Sequence, residues 1–435
     1  MKPINIGLIG WGTVGSGTSK ILIENHDLIQ KKLDRPLLLK RIADLDIKTP
    51  RPVQVDPSIL TTNAEDIIKD PEIEIVIELI GGLEPARTLT LAAMAAGKHV
   101  VTANKALLAT HGQEIFEAAE KNKVEILFEA SVGGGIPIIR TLKEDLAANY
   151  INYFFGILNG TANYILTKMS SEGMDFNQAL NEAQAKGFAE ADPTFDVEGV
   201  DTAHKLAILV SLAYGHKIEL DKIFVQGISQ LAPVDIQFAA EFGYVVKLLA
   251  ISSLNASEVE ARVHPALLPI SHVLAGVNGP FNAILFNGHA VGDILLYGQG
   301  SGMMPTASAV VSDVIELSRS ISRGALNRVP PLAWREVGQE NLILKPIDEI
   351  TTTYYFRFSV IDRPLVLSRI SGILGAHNIS ISSVIQKGRE LKGAVPIVML
   401  THEAQEANVK KALAEIDQLD IIRDKTVLIR VEDRS

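Results

Sequence analysis

Short apolar runs alternate with helical patterns along the N-terminal part of the chain. Such alternation predicts an α/β fold, in which a parallel sheet has helices on both faces. Ligands of such sheets bind beyond the carboxyl ends of the strands, where Gly81, Gly82, Asn104 and Lys105 would lie. The predicted strands are Ile4–Gly10, Leu37–Ala43, Ile73–Glu78, His99–Thr102 and Val124–Phe128, with helices such as Ala86–Ala96 between them.

The middle of the chain, from about Gly133 to Gly300, has a less regular pattern. Strand-like segments such as Tyr153–Leu158 and Val259–Val263 alternate unevenly with helices, which predicts a second, α+β domain. An amphipathic stretch, Ala307–Ile321, follows and is expected to return to the first domain.

The C-terminal part follows a proline-containing segment of sparse periodicity, from about Asn327 to Thr353. Strand and helix patterns then come in the order βαββαβ, which is that of the ferredoxin-like split motif. In chain order these predicted elements are Tyr355–Ile361, Leu365–His377, Ile379–Lys387, Val395–Thr401, Glu406–Gln418 and Val427–Val431.

The composition restricts the class of protein. A chain of 435 residues is too long for one core, so we expect three domains. The formal net charge of -10 and the lack of a basic cluster argue against nucleic acid as a partner. No apolar run reaches the roughly 20 residues that span a bilayer, and the chain leads straight into a strand, so we expect a cytoplasmic protein without membrane contact. The absence of cysteine excludes disulfides and thiolate chemistry.

A glycine-rich turn follows the first predicted strand and opens a helix. Gly10 permits the tight turn, Gly12 lets the backbone approach a pyrophosphate, and Gly15 lets the helix pack on the strand. The N-terminus of the helix then faces the phosphates. At the first strand of an alternating α/β run, this motif predicts a Rossmann-type dinucleotide-binding domain.

Asp44 ends the second predicted strand, where a carboxylate can accept hydrogen bonds from the adenosine ribose and repel a 2′-phosphate. This position favours NAD over NADP. Lys40 and Arg41 are close enough in sequence to leave NADP open, although strand alternation prevents both from facing the ribose.

The segment from Lys186 to Lys205 has the densest group of ionisable residues at a helix start. Asp201 and Lys205 are four residues apart, on one face of that helix. An ordinary helical ion pair has the same spacing and contributes only about 0.3 to 0.5 kcal/mol. We nevertheless interpret Lys205 as a proton donor, because a nucleotide site is independently expected and carbonyl reduction needs a proton donor and charge compensation.

Two other segments could contribute to a site. Lys105 follows the strand His99–Thr102, whose carboxyl end should overlook the cofactor, and a surface lysine is the alternative. The glycine-rich loop Glu129–Pro137 has carbonyl groups that could hold a hard cation. His204 is interpreted as a helix neighbour, and no pair of histidines has the spacing of transition-metal ligands.

These motifs resemble those of the monofunctional homoserine dehydrogenase family over about residues 1–334. The resemblance implies reversible reduction of L-aspartate 4-semialdehyde to L-homoserine with NAD or NADP, on the route to threonine and methionine. The motifs that carry it are Gly10–Gly15, Glu78–Gly82, Thr102–Lys105, Glu129–Pro137, Gly156–Leu166 and Lys186–Lys205.

The resemblance also implies roles for individual residues. Lys205 would be the proton donor, and Asp201 and Glu190 would be the carboxylates that contact the substrate. Lys105 would be a second lysine of the site that also contacts the cofactor. The resemblance adds cofactor contacts from Thr13, Val14, Gly187 and Gly302. The complete predicted set of cofactor contacts also includes Gly10, Gly12, Gly15, Asp44 and Thr102.

A monovalent cation, sodium in the family, is the other bound group that the resemblance implies. Backbone oxygens of four residues would hold it, with a structural role. These residues are Glu129, Val132, Gly134 and Ile136.

The C-terminal part resembles an ACT domain, a module that binds amino acids at dimer interfaces. Asp362–Leu367 and Gly372–Ile381 carry this resemblance. It implies feedback inhibition by threonine, and the family likeness implies a homodimer or a homotetramer. Leu365 stands where the module usually has a glycine next to the ligand, so its side chain could block or move that site.

These observations predict a three-domain organisation. A dinucleotide-binding domain would comprise residues 1–132 and 303–335, and a substrate-binding and dimerisation domain residues 133–302. A linker would cover residues 336–353, and a regulatory ACT domain residues 354–431.

Two other functions are compatible with a nucleotide-binding fold. A 2-hydroxy-acid dehydrogenase would need a histidine general acid paired with a carboxylate, and an arginine for the substrate carboxylate, and the sequence has no such set. A sensor derived from an inactive dehydrogenase would bind the cofactor without turnover. The intact Lys105, Asp201 and Lys205 argue against the sensor.

Overall fold

The computed structural model describes residues 2–335, 342–386 and 394–433. Strands and helices alternate in its N-terminal part. In chain order these elements are β1 (Ile4–Ile9), α1 (Thr13–Glu24), α2 (His26–Gln30), β2 (Leu37–Ala43), β3 (Leu60–Thr61), α3 (Glu65–Ile68), β4 (Ile73–Glu78), α4 (Ala86–Ala95), β5 (His99–Thr102), α5 (Lys105–Asn122) and β6 (Ile126–Leu127).

The six strands form one sheet in the order β3-β2-β1-β4-β5-β6, and every neighbouring pair is parallel. Strands β1 and β5 are buried along their whole length because helices cover both faces of the sheet. This arrangement confirms the predicted Rossmann-type fold. The strand predicted at Val124–Phe128 is shorter than expected, since Val124 N donates to Ala119 O at the end of α5 and a 3-10 turn begins at Glu129.

The middle of the chain combines long antiparallel strands with helices. Its elements are α6 (Ile138–Arg140), β7 (Ile151–Ile157), α7 (Gly160–Glu172), α8 (Phe176–Ala185), α9 (Thr194–Val197), α10 (Val200–Tyr214), β8 (Phe224–Val225), α11 (Pro233–Glu241), β9 (Tyr244–Asn255), β10 (Glu258–Pro269), β11 (Phe281–Gly288), β12 (Gly292–Gln299) and α12 (Met303–Arg323).

Helix α12 packs against α1 of the N-terminal part, as the amphipathic pattern predicts. The contact is close at Gly17, where an added Cβ would lie 2.7 Å from Met303 O and 3.1 Å from Ala307 Cβ. Val310 and Val314 of α12 are buried in the same apolar core as Ile6 of β1.

The C-terminal part has the predicted βαββαβ order, with two additional two-residue strands, one before the first long strand and one before the last helix. Lys387, predicted as the end of a strand, and residues 336–341 of the predicted linker lie outside the described residues. The elements are β13 (Ile343–Leu344), β14 (Thr351–Ile361), α13 (Val366–Ala376), β15 (Ile381–Gln386), β16 (Ala394–Thr401), β17 (Ala404–Gln405), α14 (Glu406–Ile416) and β18 (Ile422–Val431).

The strands of the middle and C-terminal parts belong to one continuous sheet. Its main path runs β12-β11-β7-β9-β10-β18-β14-β16-β15. The junction is the parallel pair β10 and β18, where Ala266 is opposite Arg430 and Leu267 is opposite Val431. The order of elements along the chain does not reveal this junction, because it joins strands far apart in sequence.

Helix α10 lies inside the protein and not on its surface. Thirteen of its fifteen residues are buried, from Asp201 to Val210 without interruption. The helix packs on α5 of the N-terminal part and on strands β9 and β10. In the part of the chain that the structure describes, no helix is long and apolar enough to cross a membrane.

Candidate functional site

Helix α10 brings two of the predicted site residues together in the interior. It begins after Gly199, whose φ of +82° lies in the left-handed region. Lys205 Nζ is 2.6 Å from Asp201 Oδ2 one turn earlier. Only 3% of Asp201 and 8% of Lys205 is exposed. The pair therefore differs from an exposed helical ion pair, since removing the Asp201 carboxylate would leave the buried Lys205 ammonium without its counter-charge.

The end of β7 and the start of α7 supply further contacts to this pair. Lys205 Nζ donates to Leu158 O at 2.6 Å. Asn159 Nδ2 donates to Asp201 Oδ2 at 2.9 Å and to Asp196 Oδ1 at 2.7 Å, while Asn159 Oδ1 caps α7. Asn159 was not predicted as a site residue. Its position between a strand and a helix start is typical of an N-cap, and this pattern could have indicated it.

Lys105 approaches the same carboxylate from the carboxyl edge of the parallel sheet. It is the first residue of α5, and Asn104 Oδ1 caps this helix by accepting from Leu107 N at 3.1 Å. Lys105 Nζ is 3.0 Å from Asp201 Oδ1. The two oxygens of Asp201 thus face one lysine each, and the structure brings Lys105, Asp201 and Lys205 into a single cluster.

The charges of this cluster shift one another's pKa. Burial lowers the pKa of Lys205, because the ammonium loses hydration. Burial would raise the pKa of Asp201, but the ammonium groups of Lys205 and Lys105 outweigh it and hold that pKa below its usual range. Around Lys105 the Asp201 carboxylate outweighs burial and raises the pKa. Lys205 is therefore the lysine that loses a proton more readily, and Lys105 stays charged.

Three more ionisable side chains surround the cluster. Burial raises the pKa of Asp196. Glu190 is exposed, and its charge contributes to the raised pKa of Lys105, so it is accessible to a ligand near that lysine. Burial lowers the pKa of His204, whose ring packs edge-on against Phe195 with centroids 5.1 Å apart. Among the described residues His204 Nδ1 has no hydrogen-bond partner, and the ring lies beside the site as a packing neighbour.

The glycine turn has the geometry that a bound pyrophosphate requires. Gly10 has a φ of +97°, and a Cβ there would lie 2.6 Å from the backbone of Leu79. A Cβ at Gly15 would lie 2.1 Å from Gly10 O, so only glycine allows the helix to pack this closely. A Cβ at Gly12 would meet nothing within 4 Å, which leaves its backbone open to a ligand.

Asp44 lies beside this turn, at the end of β2. Its Oδ2 accepts from Trp11 N at 2.5 Å, and its Oδ1 accepts from Asp46 N at 2.8 Å. The guanidinium of Arg51 lies 5.7 Å from the centroid of the Trp11 ring, and the indole N–H of Trp11 donates to Ser19 Oγ. The carboxylate of Asp44 is therefore held in a fixed orientation next to the position that Gly12 leaves open.

The remaining predicted cofactor residues lie at loop and helix ends. Thr13 and Val14 form the first turn of α1. Thr102 Oγ1 donates to Glu78 Oε2 at 2.7 Å, so the Thr102 hydroxyl links the ends of two neighbouring strands, β5 and β4. Gly187 and Gly302 have φ values of +74° and +112°, and a Cβ at Gly187 would meet nothing within 4 Å.

The glycine-rich loop predicted to hold a cation lies against two buried carboxylates. Glu129 accepts hydrogen bonds from Ile139 N and Arg140 N, each at 2.8 Å. Asp313 of α12 accepts from Glu129 N at 2.8 Å, and burial raises its pKa to about 7. Within the described residues, no group of three His, Cys, Asp or Glu side chains is placed to hold a metal ion.

The four predicted backbone ligands lie in this loop. The carbonyl oxygens of Glu129 and Ile136 accept from Val132 N at 3.5 Å and from Ile138 N at 2.8 Å. A carbonyl oxygen has a second lone pair, so both remain able to bind a cation. Gly134 has a φ of +54°, and a Cβ there would lie 2.5 Å from Gly300 O.

An open glycine turn at the carboxyl edge of a parallel sheet is where a dinucleotide binds in this fold. A buried lysine of lowered pKa, held by a carboxylate beside that edge, is suited to exchange a proton with a substrate oxygen. The fold and the site together define a nicotinamide-dependent oxidoreductase.

Comparison with protein families agrees with this class. The family model for the homoserine dehydrogenase NAD-binding domain matches residues 10–129, and that for homoserine dehydrogenase itself matches residues 137–315. The model for the ACT domain matches residues 354–420. A homoserine dehydrogenase of Pseudomonas aeruginosa is 43% identical, with the alignment covering 99% of each chain.

Solved structures give the same result. A homoserine dehydrogenase from Thiobacillus denitrificans is 45% identical, with a TM-score of 0.92 and coverage of 100% of this chain and 99% of the other. A hyperthermophilic archaeal homoserine dehydrogenase in complex with NADPH is 27% identical, with a TM-score of 0.62 and coverage of 73% of this chain and 98% of the other.

The chain belongs to the homoserine dehydrogenase family. It is therefore an NAD(P)-dependent oxidoreductase that interconverts L-aspartate 4-semialdehyde and L-homoserine, with a C-terminal ACT domain. The predicted family, fold class and reaction are confirmed.

Proposed function

We propose that Lys205 exchanges the proton of the homoserine dehydrogenase reaction. The observation that carries this proposal is the burial of Lys205 Nζ, 2.6 Å from Asp201 Oδ2, in an environment that lowers its pKa. Proton transfer by a positioned side chain is most effective when its pKa is near the working pH. Burial moves Lys205 in that direction from its ordinary value.

In the reducing direction the aldehyde carbon of the substrate gains a hydride and its oxygen gains a proton. A nicotinamide cofactor, held at the turn from Gly10 to Gly15, would supply the hydride. Lys205 Nζ donates the proton to the oxygen as the negative charge develops, and the neutral amine remains. In the oxidising direction the neutral amine of Lys205 accepts the hydroxyl proton of L-homoserine.

Asp201 and Lys105 keep Lys205 in place for this exchange. Asp201 contacts both lysines. It fixes the position of the Lys205 side chain and compensates the positive charge that Lys205 carries when it is protonated. Lys105 stays charged because Asp201 raises its pKa, and its ammonium stabilises negative charge on the substrate and cofactor side of the cluster. Glu190 is exposed near Lys105, and together with Asp201 it would contact the ammonium group of the amino-acid substrate.

The cofactor site is proposed at the turn from Gly10 to Gly15, with Thr13 and Val14 at the helix N-terminus. Thr102, Lys105, Gly187 and Gly302 would complete it. NAD is favoured over NADP because Asp44 points its fixed carboxylate at the end of β2, where a 2′-phosphate would be repelled. The NADPH complex of the archaeal relative makes NADP the alternative that an assay has to test.

A monovalent cation, with sodium as the first candidate, is proposed at the backbone oxygens of Glu129, Val132, Gly134 and Ile136. The supporting observation is charge: the buried carboxylates of Glu129 and Asp313 lie beside this loop, and a bound cation would favour their ionised forms. A higher midpoint of thermal unfolding in NaCl than in equimolar choline chloride would support a bound cation. Equal midpoints would remove it from the proposal.

The ACT domain is proposed to bind threonine as a feedback inhibitor, and the enzyme to form a homodimer or homotetramer. The support for an effector site is the match over residues 354–420. The domain division at 1–132 with 303–335, 133–302, 336–353 and 354–431 is proposed with it. Light scattering after size-exclusion chromatography tests the oligomer, and a monomer alone would contradict it.

The experiment that tests the proposed cofactor and effector is steady-state oxidation of L-homoserine with NAD and NADP separately, with and without threonine. Higher kcat/KM with NAD and inhibition by threonine are expected. Preference for NADP would reverse the role given to Asp44. Turnover unaffected by threonine would remove threonine as the effector.

Lys205→Ala tests the proton transfer. We expect kcat to fall by a factor of about 100 or more, the scale for losing a general acid, while cofactor affinity stays nearly unchanged. The matched control is Lys69→Ala, because Lys69, directly after α3, and Glu65, its first residue, form an exposed pair with the same spacing. Unchanged kcat in Lys205→Ala would exclude Lys205 from the mechanism.

A further inference from the structure

Arg430 of the C-terminal domain contacts both its own domain and the middle part of the chain. Arg430 of β18 binds Glu406 with two nitrogens, at 2.9 Å from Nε and 2.5 Å from NH2, and the Tyr354 hydroxyl donates to the same carboxylate. The side chains of Arg430 and Glu406 are almost wholly buried. Contacts within the C-terminal domain are thus sufficient to fix the orientation of the Arg430 guanidinium.

The third nitrogen of this guanidinium reaches the segment that follows β8. Arg430 NH1 donates to Gln226 Oε1 at 3.1 Å, and the guanidinium carbon lies 4.8 Å from the centroid of the Phe224 ring. Gln226 N donates to Val263 O at 2.8 Å, which fixes the backbone of Gln226 on β10. The side chain of Gln226 is therefore hydrogen-bonded to the C-terminal domain, and its backbone is hydrogen-bonded to strand β10.

The same segment is in close contact with the turn between α9 and α10. Ile228 N donates to Val197 O at 2.8 Å. A Cβ at Gly227 would lie 2.5 Å from Glu198 Cα, and a Cβ at Gly199 would lie 3.2 Å from Val225 Cγ1. There is no free space between the two segments at these points, so displacement of residues 225–228 would displace residues 197–199.

The turn at residues 197–199 sets the position of the proposed catalytic pair. Gly199 precedes the first residue of α10, Asp201 follows two residues later, and Lys205 lies one turn further. The Lys205 to Asp201 distance of 2.6 Å and the Asn159 contact to Asp201 both depend on where this helix begins.

We propose that Gln226 is a positioning residue, which transmits the position of Arg430 in the ACT domain to the start of α10 and so to Asp201 and Lys205. The inference rests on the catalytic roles proposed above for those two residues. It identifies the amide oxygen of Gln226 as the atom that matters, because this oxygen is the acceptor of the Arg430 hydrogen bond.

The test uses two substitutions at one position in the full-length enzyme. Gln226→Leu has nearly the same size but no acceptor, whereas Gln226→Glu keeps an acceptor for Arg430. We expect Gln226→Leu to lower kcat about three- to tenfold with little change in KM, the size of effect seen for residues that couple distant sites. Gln226→Glu should restore kcat to near the wild-type value.

The pH profile of semialdehyde reduction separates positioning from mere stability. Withdrawal of Asp201 from Lys205 would lower the pKa of Lys205 further, because the carboxylate favours the charged ammonium. The fall of kcat with rising pH should therefore begin at lower pH in Gln226→Leu than in the wild type or in Gln226→Glu. Gln230→Leu, at an exposed glutamine four residues later, is the matched control and should change none of these quantities.

Three outcomes would overturn the proposal. The first is a loss of thermal stability in Gln226→Leu with unchanged kcat and pH profile. The second is equal behaviour of Gln226→Leu and Gln226→Glu, and the third is an equal effect of Gln230→Leu. Lys205→Ala in the same assay separates the two levels: normal turnover there refutes the catalytic role of Lys205, whereas lost turnover there with normal turnover in Gln226→Leu refutes only the positioning role.

Discussion

At the scale of single residues, Leu365 has a backbone conformation that its side chain disfavours. It lies at the start of α13 with a φ of +73°, in the left-handed region where glycine is the usual residue. Its side chain is 74% exposed, so it gains little from packing in return. This is the position where ACT domains usually have glycine, and the loop keeps the conformation of a glycine despite the substitution.

Leu365→Gly should therefore stabilise the protein. Relief of the left-handed strain is worth roughly 1 kcal/mol in the free energy of unfolding, and little packing is lost. Urea unfolding should show a higher midpoint for this variant. The control is Leu367→Gly in the first turn of α13, where glycine relieves no left-handed strain and should lower the stability by up to about 1 kcal/mol. A lower midpoint for Leu365→Gly would mean that the leucine makes contacts which compensate the strain.

The roles of single residues were predictable where a local rule applies. The three glycines of the turn could be assigned because tight turns and close packing depend on the residue itself. The i, i+4 spacing of Asp201 and Lys205 is also visible in the sequence. Their burial and the approach of Lys105 are not, because these depend on the packing of α5 against α10, which are far apart along the chain.

At the scale of elements, Lys247 ties strand β9 to a loop, and among the described residues no carboxylate pairs with its ammonium group. Its Nζ donates to Val277 O and to the side-chain oxygens of Asn278 and Asn163. The residue is 3% exposed, and burial lowers its pKa to about 8. The folded state therefore carries the cost of a buried ammonium below that pH.

The unfolding free energy should depend on this lysine between pH 8 and pH 10.5. Below pH 8 the Lys247 ammonium is charged in both states, and water hydrates it better in the unfolded chain. Between pH 8 and pH 10.5 the unfolded chain keeps this proton while the folded protein has lost it, so the free energy of unfolding rises with pH. Lowering the pKa from 10.5 to about 8 corresponds to about 3 kcal/mol.

Urea unfolding of the wild type and of Lys247→Met at several pH values measures this effect. The difference in unfolding free energy between the two should change by up to about 3 kcal/mol in favour of the wild type as pH rises from 8 to 10.5. Lys222→Met, at an exposed lysine, is the matched control and should show no such trend. A difference that is the same at every pH would contradict the lowered pKa.

Elements were predictable where the periodicity is local. Helix Ala86–Ala95 and strand His99–Thr102 agree with their patterns. Strand β10 was predicted only at Val259–Val263, whereas in the structure it continues through Pro265 to Pro269. Proline within a sequence argues against a strand, and the sequence around it does not show which strands lie on either side. In the structure Pro265 is opposite Leu248 of β9.

At the scale of the whole molecule, the ACT domain is attached by buried polar contacts as well as by the shared sheet. Asp235 of α11 is fully buried and accepts from Tyr355 Oη at 3.0 Å. It also accepts from Arg357 Nε at 2.6 Å and from Arg357 NH2 at 3.0 Å. Arg262 and Glu432 form a second buried pair across the same junction. The ACT domain and the middle part of the chain are thus joined by ion pairs in which each charge compensates the other.

Asp235→Ala should weaken this attachment strongly. Removing one partner of a buried ion pair typically costs about 3 to 5 kcal/mol, and here the mostly buried Arg357 side chain and the buried Tyr355 hydroxyl would both lose their acceptor. We expect lower stability in urea and faster proteolysis at the junction of the C-terminal domain. Asp420→Ala removes a carboxylate from an exposed pair with Arg369 and should have no measurable effect. Equal effects of the two variants would show that the buried pair does not hold the domain.

Trp11 gives the molecule an optical property that follows from its place in the glycine turn. The chain has two tryptophans, and the other, Trp334, lies at the far end of α10 with its indole N–H on Leu212 O. Reduced nicotinamide absorbs light in the range where indole emits. If the reduced cofactor binds at the turn as proposed, energy transfer would quench the emission of Trp11, and replacing Trp334 by phenylalanine would leave Trp11 as the one tryptophan that reports occupancy.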